Sequence, residues 1–308
     1  MKNYKERKAE FEKNLQKQTK VEKKKPVKKA PQKKRFEETK KVDSEEIRLN
    51  KFISHNSKYS RREADTLIAE GKVSINGTIV TDLSQKVTTE DRVEVNGKLV
   101  KFEENKMYTV IVYNKPKGEL VTKSDPQGRK TIYDSLGAKF KHFLPIGRLD
   151  FASEGVLLLS DNVDVVNALM HSNLERVYKL KIKGYVTPSM IKAMEEGTTI
   201  DDATKGAHKN SEITSMTFAP FNAYQIQKND KSFSKLKVVI SEGKNRELRR
   251  FFGAFNADVV DLKRVEFGGI SLNNLPTGKT RYLKKDEYKN LRVFLKDNAK
   301  TSKLTEAE

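Results

Sequence analysis

The feature of this 308-residue sequence that most suggests chemistry is one carboxylate set in a turn just before a buried strand. Gly147-Arg148-Leu149-Asp150 is followed by Phe151-Ala152-Ser153-Glu154-Gly155 and the apolar run Val156-Leu157-Leu158-Leu159. So apolar a run belongs inside a core, and the turn before it holds Asp150 at the rim. A carboxylate fixed there can act as a nucleophile, a proton acceptor or a stabiliser of positive charge. Desolvation would favour its protonated form, so it needs a neighbouring cation to stay ionised. The segment Glu242-Gly243-Lys244-Asn245-Arg246-Glu247-Leu248-Arg249-Arg250 offers three arginines for that purpose. With no cysteine, thiolate nucleophiles, disulfides and zinc-thiolate centres are excluded. The four histidines (His55, His142, His171 and His208) lack metal-ligand spacing, so the expected chemistry uses neither metal nor cofactor.

The elements that must position these groups fall into two parts. In residues 46–104, Leu49, Phe52 and Ile53 sit at helical spacing, and Ser60-Arg61-Arg62-Glu63 has the form of a capping box opening a second helix. Ala64, Leu67 and Ile68 supply that helix with a buried face, and Gly71 can end it. The strands Val73–Ile75 and Val93–Val95 each run into an Asn-Gly turn. In residues 107–297, a strand over 108–113 runs into Asn114-Lys115-Pro116-Lys117-Gly118, where two lysines are expected to leave the turn positively charged. A short helix is expected from about 131, and longer ones over 163–171 and 188–196, the last stopped by Gly197. Strands are expected over 176–182, 235–240 and 260–265. Residues 201–234 read as polar and irregular with strand pieces at 213–214 and 218, and residues beyond about 297 read as a loose tail.

Composition points to a polyanionic partner. The formal net charge is +20, and residues 1–44 hold 17 Lys/Arg against 7 Asp/Glu, half of that excess. Residues 1–45 hold few large apolar side chains and are expected to be a disordered basic tail. No basic helix with a strong apolar face suggests a membrane surface, and no apolar run approaches the ~20 residues that span a bilayer. Nucleic acid is the expected ligand, and a cytoplasmic monomer the expected setting.

Several motifs together resemble a known family. G-R-L-D-x-x-S-x-G-V-L-L-L resembles the active-site signature of RsuA/RluB-type pseudouridine synthases. N-K-P-K-G resembles that family's opening motif, and L-K-R-V-x-x-G followed by L-P-T-G-x-x-R-x-L resembles its end. R-L-N-K-F-I, S-R-R-E-A and G-K-V-S-I-N-G resemble the S4 RNA-binding domain. The likeness runs from about residue 46 to 290. It implies an α+β chain: an S4 domain of two helices and short strands over 46–104, then a catalytic domain over 107–297 with a central, mainly antiparallel sheet flanked by helices.

The likeness also implies roles. Asp150 matches the family's catalytic aspartate, Arg249 the basic residue that pairs with it, and Tyr178 the tyrosine that stacks on the target base. Arg148 matches an arginine that fills the space a flipped base leaves, while Arg246 and Arg250 are expected to contact phosphates. Lys51, Arg61, Arg62 and Lys72 are expected to line the RNA face of the S4 domain. Glu247 stands where glutamine is frequent, which resembles the RluB branch and large-subunit ribosomal RNA. The expected partner is thus ribosomal RNA or a ribosome assembly intermediate. A non-catalytic assembly factor would share the S4 domain but would have no use for Asp150, Tyr178 and Arg249 together.

Overall fold

The computed structural model describes residues 46–101, 107–208 and 210–305, so the expected basic tail lies outside the described residues. The chain divides into two compact units between Met107 and Tyr108.

In the first unit, β1 (Ile47–Arg48) leads into α1 (Leu49–Asn56) and α2 (Arg61–Ala69). The expected capping box is present: the Ser60 hydroxyl accepts from the Glu63 amide at 3.3 Å, and the Glu63 carboxylate accepts from the Ser60 amide at 2.6 Å. Next come β2 (Val73–Ile75), β3 (Thr78–Ile79), β4 (Lys86–Val87), β5 (Val93–Val95) and β6 (Lys98–Leu99). The Asn76-Gly77 and Asn96-Gly97 turns have positive φ at both residues, and each folds a further strand back to give the sheet order β3-β2-β5-β6. Leu49, Phe52, Ile53, Ile68, Val73 and Val93 are packed almost completely out of solvent.

The second unit is built on a nine-stranded sheet. Its elements are β7 (Val110–Lys115), α3 (Ile132–Leu136), β8 (Leu144–Pro145), β9 (Glu154–Ser160), α4 (Val163–Met170), β10 (Arg176–Lys183) and α5 (Pro188–Glu196). These are followed by β11 (Thr198–Ile200), β12 (Met216–Phe218), β13 (Ala223–Lys228), β14 (Phe233–Ile240), α6 (Glu247–Ala254), β15 (Val259–Phe267), β16 (Ile270–Ser271), β17 (Thr280–Tyr282) and α7 (Lys285–Thr305). The strand order is β13-β14-β10-β15-β9-β7-β17, and every pairing but β15 with β9 is antiparallel.

The centre of this sheet explains its most apolar sequences. On β9, Leu157 and Leu159 enter one core with Tyr178, Phe251 and Phe252, while Val156 and Leu158 enter a second with Val165 and Leu291. A strand covered on both faces has no solvent-facing side to mark with polar residues. The parallel β9–β15 contact rests on Gly155, whose φ is +109°. A Cβ there would stand 2.0 Å from the Arg264 carbonyl oxygen, so glycine is required for the two backbones to meet.

Some expectations need correction. Residues 213–214 are not a strand; the strand begins at Met216, because the Ile213 carbonyl accepts from Arg250 instead of a sheet neighbour. Within the segment expected to be irregular, Ala223–Lys228 forms the edge strand β13. The expected loose tail after 297 is helical as far as Thr305, the end of α7. Among the described residues, no helix is long and apolar enough to cross a membrane, and no group of three or more metal-ligating side chains occurs.

Candidate active site

Asp150 stands in a cleft of about 710 Å³, roughly the size of a nucleotide-binding pocket. The sheet supplies the floor through Tyr178 on β10 and Arg264 on β15, and the walls are the 145–153 and 241–247 loops. Tyr178 lies opposite Arg264, beside an irregularity in the β10–β15 register between Val177 and Tyr178. Such a bulge re-aims a side chain, and the largely buried ring borders the same cavity as Asp150.

Two arginines converge on one oxygen. The Arg249 Nε and an Arg246 guanidinium nitrogen each lie 3.4 Å from Asp150 Oδ2. At that distance these are ion pairs, not close bidentate hydrogen bonds, and the carboxylate keeps a third of its surface open to the cleft. Arg249 also ties the aspartate's loop to the sheet. It donates to the Val259 carbonyl at 3.0 Å, the Ala152 carbonyl at 3.2 Å and the Ser153 hydroxyl at 3.1 Å. Burial pulls the Arg249 pKa down from its ordinary value, and the charge of Asp150 opposes that shift. An arginine nevertheless stays protonated, so Arg249 presents a positive charge to the aspartate. Arg246 caps α6 from the left-handed region (φ +51°), and its Nε donates to the Gly206 carbonyl at 2.6 Å.

Beneath the aspartate lies a residue whose role the sequence did not reveal. Lys115 is fully buried, and its ammonium donates to the carbonyls of Pro116 at 2.9 Å, Ser153 at 3.0 Å and Asp150 itself at 3.2 Å. Burial lowers its pKa to about 8, against the opposing pull of Glu119, Asp150 and Glu154. Lys115 thus adds its charge to the turn from the inside and not at the surface: the ammonium is spent holding the Asp150 loop in place. Lys117 is exposed but ion-paired with Asp261. The one available signal was position, since Lys115 continues a strand whose preceding residues are all buried.

Arg250 also needs correction. It was expected to contact phosphate, yet it is wholly excluded from solvent. It donates to the carbonyls of Ala203 at 2.7 Å and Ile213 at 2.9 Å and to the Ser211 hydroxyl at 2.6 Å. Its work is to fasten the polar 201–215 segment to α6. Gly206 permits that approach, because a Cβ there would be 2.1 Å from the Arg249 carbonyl oxygen.

The other arginines stay at the cleft. Arg148 is exposed at its edge. The buried guanidiniums of Arg176 and Arg264 stack over Phe267 at 4.9 and 5.4 Å from the ring centre, and Arg264 Nε donates to the Val156 carbonyl at 2.7 Å. Arg148, Arg176, Arg246 and Arg264 line the cleft with Lys244, against the carboxylates Asp150, Glu242 and Glu247, and this surplus of cations favours a polyanion.

In the first unit, Arg61 and Arg62 are exposed in the first turn of α2, where free backbone amides also favour phosphate. Lys51 is half-buried on α1, and exposed Lys72 forms an ion pair with Glu70 at 2.7 Å.

Comparisons with known proteins agree with this geometry. Residues 47–93 match the S4 domain and residues 109–254 match the RNA pseudouridylate synthase family. The chain is 54% identical over 253 residues to an uncharacterized RNA pseudouridine synthase of Helicobacter pylori strain J99, covering 82% of this chain and 96% of that protein. The chain belongs to the RNA pseudouridine synthase family. Its activity is therefore the isomerisation of uridine to pseudouridine. A second relative, ribosomal large subunit pseudouridine synthase B of Bacillus subtilis strain 168, is 36% identical over 257 residues, covering 83% of this chain and 99% of that protein. A crystal structure of a pseudouridylate synthase, 26% identical, superposes with a TM-score of 0.51 over 80% of this chain and 99% of the other.

Glu247 borders the synthase cleft and gives a pH signature. It is buried, and one carboxylate oxygen accepts from the Lys244 amide at 3.0 Å. Burial raises its pKa to about 7 from an ordinary 4.5. Between those values the folded chain keeps a proton that the unfolded chain releases, so this group's contribution to stability is lost as pH rises from 4.5 towards 7. Glu247→Gln should therefore melt at a higher temperature than the parent at pH 8, with the gap closing towards pH 5. Thermal melts at the two pH values check this, and a gap independent of pH would contradict it.

Proposed function

We propose that this synthase modifies ribosomal RNA of the large subunit, with Asp150 as its catalytic carboxylate. The reading rests on one observation: Asp150 is the carboxylate on which Arg246 and Arg249 converge at 3.4 Å in the cleft, while its remaining surface faces the cavity. The reaction breaks the bond from ribose C1′ to uracil N1 and forms one from C1′ to C5. C5 gives up a proton and N1 gains one, so no redox partner is consumed.

An anionic group is needed while C1′ or the ring is electron-poor, and Asp150 supplies it as nucleophile or counter-charge. Tyr178 lies against the same space, where its ring can stack on a base taken out of the helix and its hydroxyl can accept or pass the C5 proton. Arg148, exposed at the edge, fits the role of filling the gap the base leaves in the RNA. Exposed Arg61 and Arg62 supply phosphate contacts in the S4 domain, with Lys51 on α1 and Lys72 after α2 as further cations of the same domain. The large-subunit assignment is carried by the similarity to the Bacillus subtilis enzyme, whose name states that substrate.

Mapping pseudouridine in ribosomal RNA from cells with and without this protein tests the proposal. The expected result is loss of one or a few sites in large-subunit RNA. Loss confined to small-subunit or transfer RNA would overturn the substrate assignment.

A further inference from the structure

A second basic feature of the catalytic unit is separate from the cleft. The first turns of α7 carry Lys285, Lys289, Arg292 and Lys296, at successive intervals of four, three and four residues. That spacing puts all four on one side of the helix. All are exposed, and with Tyr108 and Tyr288 they border a shallow cleft of about 490 Å³. The tyrosine rings lie 6.4 Å apart, and the Tyr288 hydroxyl accepts from the Val110 amide at 3.0 Å, which fixes the helix to the start of β7.

A solvated helix face usually mixes charges of both signs, as α5 does where Lys192 pairs with Glu196 one turn on. This row does not. Glu287 is turned away, bound to Arg281 at 2.7 and 2.8 Å and to the Lys284 amide. Among the described residues, no ion pair involves any of the four cations. Like charges one turn apart oppose helix formation, so the row carries a cost that an anionic ligand would relieve.

We infer that this face of α7 is a second RNA-binding site, gripping the phosphate backbone away from the target nucleotide. The inference rests on the RNA substrate of the proposed function and adds a contact outside both the S4 domain and the active-site cleft. From Lys285 to Lys296 the row extends about 16 Å at 1.5 Å per residue, long enough to meet several phosphates of an RNA backbone at once. β7 runs from Val110, beside Tyr288, to Lys115, beneath Asp150. At roughly 3.3 Å per residue that is about 17 Å, so the RNA held on α7 is several nucleotides from the reacting uridine.

The test measures RNA affinity against salt for the full chain and for a variant with Lys285, Lys289, Arg292 and Lys296 all changed to Gln, which keeps helix propensity. The probe is a ribosomal RNA fragment that the parent protein converts. The slope of log affinity against log salt should become shallower by about 3, from four lost phosphate contacts at about 0.7 to 0.9 each. A companion variant that exchanges Lys for Arg and Arg for Lys at the same positions should keep the parent slope. On an RNA trimmed to the target loop alone, the Gln variant and the parent should have equal slopes.

A Gln variant with its melting temperature intact and its slope unchanged on the long fragment would overturn the inference. So would a difference that persists on the trimmed loop, since the contact would then lie near the target. Binding is read independently of conversion. A parent protein that bound but converted no ribosomal RNA would sink the proposed function, whatever the slopes.

Discussion

Asp150→Asn is expected to eliminate measurable conversion of uridine to pseudouridine while leaving RNA affinity within a few fold of the parent. The amide keeps the shape of the carboxylate but has neither its nucleophilicity nor its charge. Affinity should hold or rise slightly, because Arg246 and Arg249 lose the counter-charge 3.4 Å away and the cleft becomes more cationic. The fold should tolerate the change. Asp150 is partly exposed, where an ion pair is worth only about 0–1 kcal/mol, and its loop is held by Lys115 and Arg249 through backbone carbonyls that the variant retains. Single-turnover assays and binding titrations on the same RNA measure both quantities. Turnover near the parent rate would remove Asp150 from its proposed role.

The residues on which that experiment depends were legible in the sequence to different degrees. The turn before an apolar strand was enough to fix Asp150 in place, since the strand's burial follows from its composition and the turn must lie at its end. Arg249 was one of three nearby arginines, and only the fold separates them. The helix that bears them is buried from Glu247 through Gly253, so no amphipathic period shows which cation faces the cleft. Arg250 consequently read as a surface cation and is instead an internal clamp, while Arg246 shares Asp150 with Arg249.

Lys115 was misread for a related reason. A lysine beside proline and glycine has the composition of a solvated turn, and only the packed strands around it show that its ammonium ends among carbonyls. Strand β13 was missed because a sheet edge needs only every second residue apolar. Its Tyr224 and Ile226 were too few to stand out in a polar stretch. Helix α7 was missed although Leu291 and Leu295 are spaced for a buried face, since its charged start gave no sign of a packed element.

Arg249→Ala and the pair Arg61→Ala with Arg62→Ala should damage the enzyme in different ways. Without Arg249, Asp150 loses one of its two cations and its loop loses the bonds to Ala152 and Ser153. The carboxylate is then less firmly positioned and faces one cation fewer, and single-turnover conversion at saturating RNA should slow by about 10²–10³-fold, the usual cost of removing one preorganised electrostatic group. Arg249→Lys should recover only part of this. An ammonium can face Asp150 but cannot also reach Val259, Ala152 and Ser153 as the planar guanidinium does. The Arg61/Arg62 variant should behave in the opposite manner. Those exposed side chains act on phosphates equally in the ground and transition states, so their loss should raise the RNA concentration needed for half-maximal rate and spare the rate at saturation. That defect should shrink as salt rises, because the lost contacts are electrostatic. The Arg249 defect should persist, because Arg249 itself is buried and its bonds to Val259, Ala152 and Ser153 lie within the protein, where salt screens little. Rates over a range of RNA and salt concentrations separate the two cases. A saturating rate lost in the Arg61/Arg62 variant but kept in Arg249→Ala would mean that Asp150 does not depend on the cation proposed to hold it.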